Sequence, residues 1–155
     1  MEGFRIHRAG LKDMALLLDL REEMLRAANP QLPPDFDFGP IRANCRAYYQ
    51  AALPAGEHIA LVAFVSGEAA ACGGLSLYSV LPNGENPNGK RGYIANIYTR
   101  EAFRRRGLAR AIMRELIAAG RELGAGRFAL NASEMGRPLY ESMGFAPMPD
   151  EMELH

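Results

Sequence analysis

No stretch of this sequence stays apolar long enough to cross a bilayer: the longest such run, Ile59 to Val65, falls far short of the roughly 20 residues a helical span needs. The opening MEGFRIHRAG lacks the apolar core of a secretory leader, so a cytoplasmic protein with no membrane partner is expected. Cysteine is scarce too. Cys45 and Cys72 stand far apart with no paired spacing, which excludes a disulfide framework and a zinc-finger arrangement, and no metal is expected. Net charge is missing as well: 18 basic residues balance 18 acidic ones. With no global field and only scattered aromatics, nucleic acid is not an expected partner. No GKS or GKT follows a glycine loop, so a triphosphate P-loop is excluded. Neither an internal repeat nor a low-complexity tract occurs, and 155 residues suit a single domain, 1–155, that folds around one core of ordinary size.

What is present is an alternation of strand and helix signals. GFRIHRAG alternates apolar and polar side chains like a half-buried strand. From Leu11, the residues Met14, Leu18, Met24 and Leu25 roughly follow a helical period. The proline-rich NPQLPPDFDFGP breaks that helix before a second one over about 41–53. Residues 58–65 and 70–80 are apolar runs separated by a short turn, the pattern of an antiparallel hairpin. GYIANIYT at 92–99, a helix over 107–123 and RFALNAS at 127–133 form a strand, helix, strand unit long enough for a right-handed parallel crossover. GRPLYESMGF predicts a short helix closed by Gly144, and FAPMPDEMELH a final strand or two. The sum is an α/β (α+β) protein with a mixed, mostly antiparallel sheet of six to seven strands, a central parallel pair and helices on both faces.

Five arginines crowd positions 100 to 110, where the chain turns from strand to helix. A helix N-terminus already carries about half a positive charge, and no acid lies between Arg104 and Arg114. Something anionic is expected to offset that charge. Gly107 can take the torsions that aim several amides at one point, and Ala109 lets a bulky ligand approach the backbone. Leu108, Ile112 and Leu116 recur every four residues and form the core side of the helix, leaving Arg105, Arg106 and Arg110 to reach outward.

Arg104-x-x-Gly107-x-Ala109 at a strand-to-helix junction resembles the Q/R-x-x-G-x-G/A signature of the GNAT superfamily, the acetyl-CoA-dependent N-acetyltransferases. GYIANIYT looks like that family's fourth strand, and GRPLYESMGF like its closing motif; Ser133 stands where many members have Asn. The resemblance implies acetyl-CoA as cosubstrate, with Arg105, Arg106, Gly107, Leu108, Ala109 and Arg110 wrapping its pyrophosphate and Arg104 anchoring the loop. It implies further that the edge of Ile97, Tyr98 and Thr99 pairs with the pantetheine arm like an added strand. Tyr140 matches the family's tyrosine general acid, and a main-chain N–H of Ile97 or Tyr98 is the implied oxyanion donor.

The implied reaction is direct acetyl transfer to a primary amine on a small molecule or peptide, in a ternary complex. The rival is a non-catalytic acyl-CoA sensor of the same fold. The base is unassigned: Glu22, Glu23, Asp35, Asp37 and Glu134 are conceivable but each reads first as part of a solvated face or turn, and a water relay is an equal alternative. His7 and His58 are read as structural. Asn96 is expected to face either acceptor or core, Asp35 and Asp37 hint at a cationic acceptor, and the choice between monomer and homodimer stays open.

Overall fold

The computed structural model describes residues 3–155. The element order is β1 (Arg5–Arg8), α1 (Met14–Ala28), α2 (Gly39–Ala55), β2 (His58–Val65), β3 (Glu68–Ser79), β4 (Lys90–Thr99), α3 (Leu108–Glu122), β5 (Arg127–Leu130) and α4 (Arg137–Ser142), with short 3-10 turns before α1 and α3. The strands form one sheet in the order β1-β2-β3-β4-β5. Its first three pairings are antiparallel and the last, β4 with β5, is parallel.

Each element ends where its sequence dictates. Proline at its start favours α2, whose closing Gly56 takes the left-handed torsions (φ 72°) that end helices without a Cβ penalty. Ser66 and Gly67, both at positive φ, turn β2 into β3. Leu108, Ile112, Met113 and Leu116 of α3 are buried on one sheet face against Ile59, Leu75 and Ile94, with α4 packed on the same side. Met14, Leu17, Leu18 and Leu20 of α1 and Tyr49 of α2 cover the other face. Where α3 meets the sheet the contact is close: a Cβ on Gly73 would lie 2.6 Å from Cγ2 of Ile112 and 2.7 Å from Cδ1 of Ile97.

The expected six to seven strands are five. FAPMPDEMELH adds none, because Pro147 and Pro149 withdraw two ladder donors from a segment whose residues are otherwise mostly exposed. In consequence the parallel pair lies at the edge of the sheet rather than at its centre. RFALNAS pairs only as far as Leu130. Among the described residues, no helix is long and apolar enough to cross a membrane.

Candidate active site

β4 is the element from which the site is built, and it is not a regular strand. Cys72 of β3 faces Tyr98, but Gly74 faces Ala95, so β4 carries one residue more than its partner between them. Asn96 sits in that bulge at φ 63°, a left-handed conformation that costs a non-glycine residue of order 1 kcal/mol or more. The parallel ladder with β5 runs from Arg91 and Arg127 to Ile94 and Leu130 and stops just before the bulge. Residues 95–99 continue beyond the end of β5, so among the described residues that stretch of β4 has no strand paired along its outer edge.

Main-chain groups alternate in direction along a strand. The Arg100 N–H donates to Ala70 of β3 (2.9 Å), which turns the main chain of Tyr98 toward β3 and leaves the main-chain groups of Ile97 and Thr99 facing that outer edge. Ile97's side chain packs into the core under α3, while Tyr98's packs on the α1/α2 side. Burial raises the Tyr98 phenol above its ordinary range, with Glu23 adding to the shift.

The arginine loop follows directly on this end of β4. Arg104 donates from Nε to the Thr99 carbonyl (3.2 Å), tying the loop to the strand end. Arg105 (φ 64°) and Gly107 (φ 78°) both adopt left-handed torsions, and 104–107 are all exposed. Arg106 lays its guanidinium 5.3 Å from the Phe103 ring centroid and donates to the Ala102 carbonyl (3.3 Å). No side chain caps α3 and no acid occupies its first turn. The first return bond of that helix goes from the Ala111 N–H to the Gly107 carbonyl (3.1 Å), which leaves the first-turn amides pointing out of the helix end. Leu108 is buried and Ala109 is half-buried. Arg110 donates to Ser142 Oγ (2.8 Å), coupling α3 to α4.

Tyr140 on α4 is buried, with its ring edge-on to Phe145 at 6.2 Å. Among the described residues its hydroxyl has no hydrogen-bond partner. Burial alone raises its pKa above the ordinary phenol value, so it is protonated at neutral pH. Gly136 makes room for it: a Cβ there would lie 3.0 Å from the hydroxyl. An open groove of about 880 Å³ beside β5 is walled by Phe128, Leu130, Tyr140 and Phe145, among others, and includes none of residues 97–110.

The carboxylates named from sequence are mostly engaged. Glu22 meets Arg26 (3.4 Å) and Arg42 (3.1 Å), and Glu23 is held by Arg100 through two bonds of 2.9 and 2.7 Å. Asp37 accepts the Gly39 N–H (2.9 Å) at the start of α2; Asp35 and Glu134 lie on the surface. His7 pairs with Asp13 (2.9 Å), which also accepts the Gly10 N–H. His58 is buried beneath Tyr48 and beside Ser76, and burial, with Arg21's charge second, pushes its pKa down to about 4. Cys72 is buried and its thiol is pushed up to about 12, so it is no nucleophile at neutral pH.

One residue at the site escaped the sequence reading. Arg21 of α1 reaches β4 and donates from Nη1 to Asn96 Oδ1 (3.4 Å). Its signal was a cation at a position where the stripe of Met14, Leu17 and Leu18 calls for an apolar side chain.

A family model described as the acetyltransferase (GNAT) family matches residues 21–145. No curated protein matches the chain by sequence. Among solved structures, a protein from Clostridium acetobutylicum described as a predicted acetyltransferase, solved with acetyl-CoA, is 25% identical with a TM-score of 0.88 over 99% of this chain and 96% of its own. A GCN5-related N-acetyltransferase from Ralstonia eutropha is 29% identical with a TM-score of 0.84 over 99% of both chains. Glucosamine-6-phosphate N-acetyltransferase from Arabidopsis thaliana, at 18% identity and a TM-score of 0.71 over 99% of both, shares the fold.

Proposed function

Because the chain belongs to the acetyltransferase (GNAT) family, we propose that it transfers an acetyl group from acetyl-CoA directly to a primary amine within a ternary complex. The observation that carries this reading is the pairing of two unsatisfied main-chain surfaces: the uncapped start of α3 and the open edge of β4 beside it. A diphosphate suits the first, since first-turn amides, the left-handed loop torsions and the helix dipole all favour an anion. Arg105, Arg106, Gly107, Leu108, Ala109 and Arg110 hold it in this reading, with Arg104 bracing the loop from Thr99. The amide-bearing pantetheine arm suits the second, adding itself to residues 97–99 as a strand would. The Clostridium protein solved with acetyl-CoA supports that choice of cosubstrate.

The amine nitrogen attacks the thioester carbonyl, whose oxygen gains the negative charge. Strand alternation favours the Ile97 N–H over that of Tyr98 as its donor, and removing one such donor typically costs about 3–4 kcal/mol. Collapse of the tetrahedral species forms the amide, expels the thiolate and leaves the amine's proton to be removed. Tyr140, held protonated by burial, stabilises the departing sulfur chiefly as a hydrogen-bond donor. With Glu22 and Glu23 tied to arginines, a water relay takes the amine proton in this reading. An α-amine needs only about 1–1.5 kcal/mol to deprotonate at pH 7, against about 4–5 for a lysine side chain. The inert Cys72 thiol supports direct transfer over an acyl-enzyme route.

Calorimetric titration with CoA, followed by a thiol-release assay with acetyl-CoA and an amine library, tests the proposal. Saturable CoA binding and amine-dependent release are expected. Binding without any amine-dependent release would assign the fold to acyl-CoA sensing instead.

A further inference from the structure

We infer, resting on the transferase reading above, that the acceptor amine carries an anionic oxygen group, carboxylate or phosphate, and that Arg21 receives it. Four half-buried arginines line the face formed by α1, α2 and the end of β4, and three of them have carboxylate partners. Arg26 pairs with Glu22, Arg42 with Asp19 and Glu22, and Arg100 with Glu23. Arg21 has none among the described residues; its only hydrogen bond is to the neutral amide of Asn96. A guanidinium offers five donors, and a cation withdrawn from water is disfavoured unless they are met.

Among the described residues, no carboxylate pairs with Arg21 to supply a counter-charge. Arg21's field reaches Tyr49, His58 and Cys72, and all three are neutral at pH 7: the phenol and thiol are pushed up to about 12, the imidazole down to about 4. Nearby Glu23 is already clamped from both carboxylate oxygens by Arg100. α1 therefore keeps a positive charge in its inward stripe, at a position an apolar residue would fill at lower cost.

Its location ties that charge to the reaction. Arg21 bonds the side chain of Asn96, the residue immediately before Ile97, so the guanidinium stands beside the place where the thioester carbonyl would lie. It approaches from the sheet face covered by α1 and α2, whereas α3, whose start holds the pyrophosphate in the reading above, packs on the other face. An amine whose anionic group docks on Arg21 is thereby brought to the carbonyl from the side away from the pyrophosphate. Arg21 acts as a specificity-determining residue, and its planar fork suits a bidentate carboxylate or phosphate.

Matched amines test this: β-alanine against β-alaninamide, and phosphoethanolamine against ethanolamine, assayed by thiol release with wild type, Arg21→Met and Arg21→Lys. Comparing the anionic-to-neutral ratio of kcat/KM between variants cancels the amines' differing basicity. That ratio is expected to fall about tenfold or more in Arg21→Met for at least one pair and to be partly kept in Arg21→Lys. Whichever pair responds identifies the oxyanion. An unchanged ratio in Arg21→Met for both pairs overturns the inference. If CoA binds but no amine turns over, the transferase reading fails by itself, and titrating the same amines into CoA-loaded protein still decides the anion site. Anion-selective binding that Arg21→Met abolishes upholds it; equal or absent binding overturns it.

Discussion

Among single residues, the chemical task proposed for Tyr140 and the structural one of His58 can be tested separately. Tyr140→Phe removes a hydroxyl that no other described residue hydrogen-bonds, so turnover is expected to fall about tenfold or more while CoA affinity stays nearly constant; steady-state kinetics with parallel CoA titration reads both. His58 does the structural work. Its folded pKa of about 4 lies below the ordinary value near 6.5, so the unfolded chain takes up a proton first as pH falls. The stability due to its neutral burial is whole above pH 6.5 and is lost between there and pH 4. Urea titrations at pH 7 and pH 4.5 should show wild type losing about 2 kcal/mol more than His58→Phe over that interval. Sequence singled out Tyr140 through its neighbours in LYESMGF and took His58 as structural, and the latter is buried and hydrogen-bonded to Tyr48 and Ser76. Arg21 was missed, because an arginine in a helical stripe means something only when the charges around it are known to be neutral or already paired.

Elements differ in how much of them is local, and that decides what could be read without coordinates. The arginine loop was legible because its ingredients lie within seven residues: an absent acid, a glycine and a small side chain at the start of α3. Gly107→Ala probes it. At φ 78° an added Cβ meets no neighbour within 4 Å but strains the backbone by about 1–2 kcal/mol, so the loop relaxes away from the shape proposed to hold the diphosphate. CoA affinity measured by calorimetry is expected to drop about fivefold or more, with the far-UV circular dichroism of the fold unchanged. By contrast, the bulge at Asn96 exists only as a mismatch between β3 and β4, and neither strand announces it alone. The C-terminal strand expectation failed because Pro147 and Pro149 cannot donate to the edge that FAPMPDEMELH would have had to pair.

At the scale of the molecule, the fold is two helix layers on a sheet whose last pairing is incomplete, and a ligand that completes it should stabilise the whole. CoA at a hundredfold excess over its dissociation constant adds about 2.7 kcal/mol to unfolding, which for 155 residues corresponds to a rise in Tm of about 5–10 °C in a thermal-shift scan. Gly107→Ala should shrink that rise. The two-sided core followed from the spacing of apolar residues, whereas the place of the parallel pair at the sheet edge and the point where β5 stops short of β4 are relations between strands that spacing within one strand does not show. The supernumerary residue in β4 has one more effect. Before it, the even-numbered amides at 92 and 94 serve β5 and the odd-numbered ones serve β3; after it the parity is exchanged, and 97 and 99 look outward while 98 and 100 look back. The strand thus slips phase by one at the spot where its neighbour ends, and the amides left without a partner belong to a different numerical series from the ones that hold the sheet together.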